Sequence, residues 1–304
     1  MATKIWDCAI VGGGPAGLTA AVYLARFHLS VIVIDSGKSR AGIIPLTRNH
    51  AGFPDGISGP VLLARMRRHA VKSGAKLVDG RVEVLKRTGE GFSALVDGET
   101  QLARAVLIAT GVVNRRPPMM DEEMHDRAVA DGRLRYCPIC DGYEVTDLRV
   151  AVLGTGARGC KEAIFLRSYT DDVTLFAPDR HDLSAEQEAQ LSEAGIVIAG
   201  PCRTITLAEG KIVVGLDEGA QSFDSLYPAL GSDIRSELAG QLGADRTDDG
   251  CLRVDAHQRT NVPGLYAAGD VVKGLDQISH AMGEGGVAAT TIRNDLAKQT
   301  PLRR

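Results

Sequence analysis

The sequence predicts an α/β protein built from two nucleotide-binding, Rossmann-like domains of the three-layer ββα kind, the second inserted in the first. Three observations predict it. Two glycine turns, at Gly12–Gly17 and Gly154–Gly159, lie 142 residues apart. Each follows an aliphatic strand and opens a helix, and each βαβ unit then runs on into a strand meander, the mark of an internal duplication. The chain after Gly250 returns to a different strand, turn and helix pattern. Residues 1–114 and 248–304 are therefore expected to form one discontinuous domain, with 115–247 inserted in it.

Each element has its own local reason. KIWDCAIV (4–11) reads as a strand, Gly14–Phe27 as a helix with apolar periodicity, and SVIVID (30–35) as a strand apolar throughout, suited to burial on both faces. Residues 36–60 are rich in Gly and Pro, hence loop. Residues 60–73 form a helix with Pro at its start and Gly74 beyond its end. Residues 76–108 hold three or four short strands of a meander. The plan recurs with a strand at 149–153, a helix at 160–168, a strand at 172–177, a helix at 184–194, meander strands over 196–217 and a closing strand at 223–230. The tail supplies a short polar strand CLRVD, the turn NVPG, the strand LYAAGD and a small-residue helix over 285–297.

Composition narrows the function. The chain has 35 Gly in 304 residues and no collagen period, so the excess serves turns and close backbone approaches. Aromatics make up 4% and the net charge is -3, so neither a base-stacking platform nor a positive field for nucleic acid is expected. Arg67-Arg68 and Arg115-Arg116 read as solvated surface. No stretch approaches the ~20 apolar residues of a membrane span, and the N-terminal segment has glycines where a signal peptide would be apolar. The expectation is a cytoplasmic protein with no nucleic-acid or membrane partner.

Gly12-x-Gly14-x-x-Gly17 sits between a strand and a helix, and Asp35 ends the next strand 23 residues after Gly12. One glycine makes the tight turn, one lets backbone approach a pyrophosphate, and one permits close helix–strand packing. The helix N-terminus adds N–H groups and positive dipole character. Asp35 can accept hydrogen bonds from a ribose, and its charge disfavours a 2′-phosphate. Gly269-Asp270, after the strand LYAA, can hold hydroxyls of a flavin nucleotide.

Of six cysteines, Cys8, Cys160, Cys202 and Cys251 are scattered among small or apolar neighbours and read as buried fillers. Cys137-Pro138-Ile139-Cys140 stands apart. Its spacing lets a Pro-containing turn close the two thiols into a disulfide, and Asp141 beside them can accept or donate the proton that thiol–disulfide exchange requires. Zinc would need two further ligands at a recognisable spacing, and Cys160 has no such partner. No metal is expected.

In these residues and the segments around them, the chain resembles the low-molecular-weight, bacterial-type thioredoxin reductases over nearly its whole length. The matching pieces are IVGGGPAGLTAA at 10–21, CPICDGYE at 137–144, VLGTGARG at 152–159, VPGLYAAGDV at 262–271 and QISHAMGEGGVAA at 277–289. The resemblance implies FAD in the first domain, a redox disulfide in the second, a homodimer, and a thioredoxin-like protein or small dithiol or disulfide as partner. It implies that Gly12, Gly14, Pro15, Ala16 and Gly17 cradle the FAD pyrophosphate. Asp35 would then hold the adenosine ribose, Gly269 and Asp270 the central chain of the flavin, and Gln277 and Ile278 its ring. It makes Asp141 an acid, turns Cys140 to the flavin and leaves Cys137 for the partner.

Three departures shape the remaining expectations. The stretch after Asp35 lacks the family's Gly-Gly-Gln motif and offers Arg48, Asn49 and His50, with Asn49 the cofactor-binding candidate. Gly154, Gly156 and Gly159 keep a pyrophosphate cradle, yet Ala177-Pro178-Asp179-Arg180 stands where relatives carry a His-Arg-Arg cluster. Only Arg158 and Arg180 are nearby cations, so NADPH is expected to bind poorly. NAD(P)H, a second FAD, or nothing could fill that site. With nothing there, a protein electron donor such as ferredoxin, or oxygen-dependent dithiol oxidation, would complete the reaction. His280 stands near the expected flavin face as a further catalytic candidate. A redox-sensing flavoprotein is the non-enzymatic alternative.

Overall fold

A computed structural model describes residues 4–302. The outermost positions of the expected domains, 1–3 and 303–304, lie outside the described residues. The chain divides into two compact units, one made of the chain up to Gly42, Gly59–Val113 and the chain from Ile234, the other of Ile43–Ser58 and Asn114–Asp233.

The first unit opens with β1 (Ile5–Val11), α1 (Pro15–Arg26) and β2 (Val31–Asp35). It continues through α2 (Gly59–Ser73), β3 (Lys76–Asp79), β4 (Val82–Thr88), β5 (Gly91–Val96) and β6 (Glu99–Ile108). The chain crosses over in β7 (Val112–Asn114). The second unit holds α3 (Glu122–Ala130), α4 (Pro138–Asp141), β8 (Val150–Leu153), α5 (Gly156–Leu166), β9 (Val173–Phe176) and α6 (Ala185–Glu193). It ends with β10 (Val197–Ile198), β11 (Thr204–Ala208), β12 (Lys211–Leu216), β13 (Gly219–Phe223) and β14 (Ser225–Pro228). The chain returns by β15 (Ser232–Ile234), which pairs with β7, and completes the first unit with α7 (Glu237–Gln241), β16 (Leu265–Ala267) and α8 (Ile278–Gln299).

In the first unit the sheet order is β3-β2-β1-β6-β5-β4, with β16 also pairing with β6. Its β1 and β2 are nearly wholly buried because cores pack on both faces: Leu18, Leu24, Val33 and Ile292 on one, Trp6, Ile32, Phe92 and Val106 on the other. The second unit repeats the order as β10-β9-β8-β14, all parallel, and sets β11-β12-β13 aside as a separate antiparallel sheet.

Several expectations need correction. Residues 76–79 do not begin the meander: β3 lies parallel beside β2 at the sheet edge. CLRVD forms no strand, because Leu252 N–H reaches Val271 O while Arg253 N–H reaches Asp245 O, so no single ladder continues. The helix expected at 160–168 begins at Gly156, inside the glycine turn. The last helix starts seven residues before the expected Gly285. Its glycines suggested a late start, yet Gly285 belongs within the helix because a Cβ there would stand 2.3 Å from Ala16 O, so its bareness lets α8 lie against α1. Helix α3 was not expected; Asp121 caps it, accepting from Met124 N–H at 2.8 Å. Among the described residues no helix is long and apolar enough to cross a membrane.

Candidate functional site

The first glycine turn separates two kinds of glycine. A Cβ on Gly12 would lie 2.2 Å from Ala109 O, and one on Gly17 would lie 2.0 Å from Gly12 O. Those two are bare so that strand, turn and helix can close on each other. A Cβ on Gly14 would meet only Ser39 Oγ, at 3.2 Å. Gly14 caps α1 without a side chain, Pro15 follows, and the first turn carries no acid. The residues present fit a dinucleotide: an open backbone cradle at a helix N-terminus, with nothing anionic in that turn to repel a pyrophosphate.

Asp35, buried at the end of β2, lies against Gly13 and accepts from Gly37 N–H at 3.1 Å. Arg67 bridges it to Asp79, at 2.5 and 2.6 Å. Arg67 is therefore part of the site and not the solvated surface its sequence context suggested. Gly269-Asp270 follows β16, and Arg40 joins Asp270 to Asp276 at 3.2 and 3.0 Å. Burial and the neighbouring Asp270 push the Asp276 carboxyl up, against the pull of Arg40. Gln277 is the N-cap of α8, and Ile278 and His280 lie in its first turn. His280 Nε2 meets Glu284 Oε1 at 3.1 Å, while Glu284 Oε2 accepts from Gly269 N–H at 2.6 Å. Burial raises the Glu284 carboxyl, opposed by that N–H and by His280.

In the second unit Cys137 and Cys140 are joined as a disulfide with Cα atoms 5.2 Å apart. The expected Pro-containing turn is a single turn of helix, α4, with Cys137 as N-cap and Pro138 at its first position. Cys140 N–H donates to Cys137 Sγ at 3.2 Å, an arrangement that favours negative charge on that sulfur when the pair is reduced. Asp141 closes the helix. Its Oδ2 accepts from Arg135 Nη1 at 3.0 Å and its Oδ1 from Tyr227 Oη at 2.9 Å. Burial pushes its carboxyl up from the ordinary range, with Arg135 and Tyr227 pulling the other way. Asn49 lies against this segment, donating to Ile139 O at 3.4 Å, and Arg48 faces Glu144 at 3.6 Å. Ile139 and Tyr143 are exposed beside the disulfide.

The second glycine turn differs from the first at its middle position. Thr155 precedes α5 without capping it; its Oγ1 accepts from Asp182 N–H at 2.6 Å instead. A Cβ on Gly156 would stand 3.3 Å from Asp182 O, whereas Gly154 and Gly159 pack on each other. The segment after β9 is thus tied down over the turn. Asp179 and Arg180 are exposed, the Arg158 guanidinium lies beside Gly231, and Arg203 is held bidentately by Asp217 at 2.8 and 2.9 Å. Among the described residues no three His, Cys, Asp or Glu side chains converge to hold a metal ion.

Sequence reasoning overlooked Arg40, Arg67, Arg135, Tyr227 and Glu162. Only Tyr227 left a signal: a tyrosine inside an otherwise buried strand, whose hydroxyl must find a partner.

A dinucleotide turn and a disulfide held at a helix start, on one duplicated Rossmann-like chain, define a flavoprotein disulfide oxidoreductase. The chain belongs to the pyridine nucleotide-disulphide oxidoreductase family, whose pattern matches residues 6–285. It is 32% identical to the thioredoxin reductase of Listeria monocytogenes, covering 94% of this chain and 92% of the relative. It is 33% identical to the thioredoxin reductase of Streptomyces coelicolor, covering 86% and 85%. Its fold matches the crystal structure of thioredoxin reductase from Streptococcus pyogenes with a TM-score of 0.89 at 26% identity, covering 98% of this chain and all of the other. The resemblance read from the motifs is borne out, and with it a thioredoxin-reductase-like disulfide oxidoreductase whose redox-active pair is Cys137–Cys140.

Proposed function

We propose that the chain exchanges electrons between FAD, held at Gly12, Gly14, Pro15, Ala16 and Gly17, and the Cys137–Cys140 pair, and thence with the disulfide of a thioredoxin-like protein or a small molecule. The observation that carries this reading is the disulfide at the start of α4 with the Asp141 carboxyl fixed beside it. Bound FAD supplies a two-electron carrier. The chain's own residues do the rest. Gly14 leaves room for the pyrophosphate, and the N-terminal turns of α1 and α8 orient donors. Asp35, already facing Arg67, reaches a ribose hydroxyl, and Asp270 reaches the central chain. Cys137, its sulfur fed by the Cys140 N–H, attacks the partner; Cys140 resolves the mixed disulfide; Asp141 moves the proton. A homodimer working in the cytoplasm is part of this proposal.

The test uses FAD-loaded protein, photoreduced without oxygen and mixed with oxidised thioredoxin or a small disulfide. Thiols appear on the partner with the wild type and fail to appear with Cys137→Ser or Cys140→Ser, both of which keep FAD. Undiminished thiol production by both variants overturns the reading.

A second reading concerns the source or sink of electrons. It is favoured by Thr155 and Asp182, whose bond ties the segment after β9 to the second turn, where no paired basic clamp stands. On this reading NADPH is a poor donor, and the same dithiol chemistry runs from a protein donor, from a second FAD, or in reverse with oxygen as acceptor.

A further inference from the structure

We propose that Arg135 and Tyr227 are positioning residues that hold the Asp141 carboxyl for proton exchange with the Cys137–Cys140 pair. The proposal rests on the reading above, in which Asp141 is the acid–base group.

Both residues hang from β14. Tyr227 belongs to that strand and is wholly buried, so its hydroxyl has lost water and must be paired within the protein. It lies 2.9 Å from Asp141 Oδ1 and 3.2 Å from the Asp141 carbonyl oxygen. Arg135 is bound to the same strand by its backbone, with N–H donating to Leu226 O at 3.0 Å, and by its side chain, with Nε donating to Ser225 Oγ at 3.2 Å. Ser225 Oγ is itself fixed, donating to Gly132 O at 3.0 Å. The guanidinium then reaches Asp141 Oδ2 at 3.0 Å.

Each carboxylate oxygen can accept at two sites. One site on each is taken, which fixes the orientation of the group and leaves the remaining lone pairs for a thiol proton. The next residue adds stiffness, because a Cβ on Gly142 would stand 2.6 Å from the Tyr169 ring.

The groups that face Asp141 come from every neighbouring element. Arg135 comes from the segment before the disulfide, Tyr227 from β14, Glu144 from the turn after α4 and Glu162 from α5. Glu144 is faced in turn by Arg48, and Glu162 by Arg158. The carboxyl is therefore balanced between burial and Glu144, which favour the protonated form, and Arg135 and Tyr227, which favour the ionised one.

The exchange closes in atoms and electrons. With the pair reduced, the Cys137 thiolate attacks one sulfur of a partner disulfide, forming a mixed disulfide while the partner's own S–S bond breaks. Cys140 gives its proton to Asp141, and its thiolate attacks Cys137 Sγ. The Cys137–Cys140 bond forms, the mixed disulfide breaks, and Asp141 returns the proton to the departing partner sulfur. The other partner sulfur takes up the proton that left Cys137. Two electrons and two protons pass, and the reverse sequence oxidises a dithiol.

The test is the pH profile of single-turnover exchange between FAD-loaded, pre-reduced protein and oxidised lipoamide, read as thiol gained by the probe. Arg135→Gln moves the Asp141 inflection upward by about one pH unit or more, since an opposite charge has been removed. Arg135→Lys restores most of it, and Tyr227→Phe gives a smaller shift in the same direction. Asp141→Asn loses the inflection together with the rate. An inflection unmoved in Arg135→Gln, with Asp141→Asn impaired, overturns the positioning role and leaves the wider reading standing. Wild-type rate and inflection in Asp141→Asn overturn the wider reading itself. If Arg135→Gln does not fold, Tyr227→Phe decides, and an unmoved inflection there overturns the proposal.

Discussion

Glu162, on α5, has one carboxylate oxygen, Oε1, sealed from water and without a hydrogen-bond partner. A carboxyl in that position resists ionising. Burial pushes it from the ordinary range up to about 7, Arg158 opposing and Asp141 adding to the rise. Its folded pKa thus lies above its unfolded one, so between about 4.5 and about 7 the native state binds the extra proton and stability falls as pH rises. Above that window the loss is constant, on the order of 3 kcal/mol. Glu162→Gln should abolish the decline: its melting temperature equals that of the wild type near pH 4 and exceeds it at pH 8, measured by thermal unfolding across that range. Equal melting temperatures at pH 8 would show that the carboxyl ionises without cost. At this scale the cysteine pair and Asp141 were legible, because their chemistry lies in five consecutive residues. Arg40 and Arg67 were not, because their partners are 230 and 32 residues away and only the folded chain brings them together.

Elements were legible where periodicity and caps are local, and less so where packing decides. The strand, turn and helix of β1, Gly12–Gly17 and α1 follow from pattern alone. The start of α8 does not, because Gly283, Gly285 and Gly286 argue against helix until their packing is known; β3 was misplaced because a short strand does not announce its neighbour. The glycine turn supports a prediction at this scale. Gly14→Ala should fold as the wild type does and bind FAD weakly, since its Cβ meets only Ser39 Oγ, at 3.2 Å, and projects into the cradle. Gly17→Ala should instead fail to fold stably, because its Cβ would stand 2.0 Å from backbone. Circular dichroism and flavin titration of both variants separate the outcomes; full FAD affinity in Gly14→Ala would remove that glycine from the site.

At the scale of the whole molecule the chain is one plan used twice, with β3-β2-β1-β6 repeated as β10-β9-β8-β14. The duplication was legible from the two glycine turns. What distinguishes the copies was only half legible: the missing basic cluster stands in the sequence, but the bond from Asp182 N–H to Thr155 Oγ1 does not. In the first copy a Cβ on the middle glycine would meet a side-chain atom, Ser39 Oγ, at 3.2 Å; in the second it would meet backbone, Asp182 O, at 3.3 Å. A 2′-phosphate arriving after β9 would meet Pro178 and the Asp179 carboxylate, Ala177 being buried. Arg158, Arg180 and Arg203 are all exposed, but Arg158 lies against Gly231 and Arg203 is held by Asp217. Each charge-assisted bond to a phosphate is worth up to ~3 kcal/mol, so lacking two weakens binding on the order of a thousand-fold or more. NADPH should therefore reduce the flavin slowly, and NADH, with no 2′-phosphate to place, should lose less. Anaerobic stopped-flow reduction with each nucleotide, beside a count of FAD per chain, decides the matter. Rapid bleaching by micromolar NADPH would show that the clamp is dispensable and restore an NADPH-driven reductase. Slow bleaching with two FAD per chain would mark a diflavin exchanger. Slow bleaching with one FAD, and hydrogen peroxide formed when a dithiol is added in air, would mean that electrons enter at Cys137–Cys140 and leave to oxygen, reversing the direction in which a reductase runs.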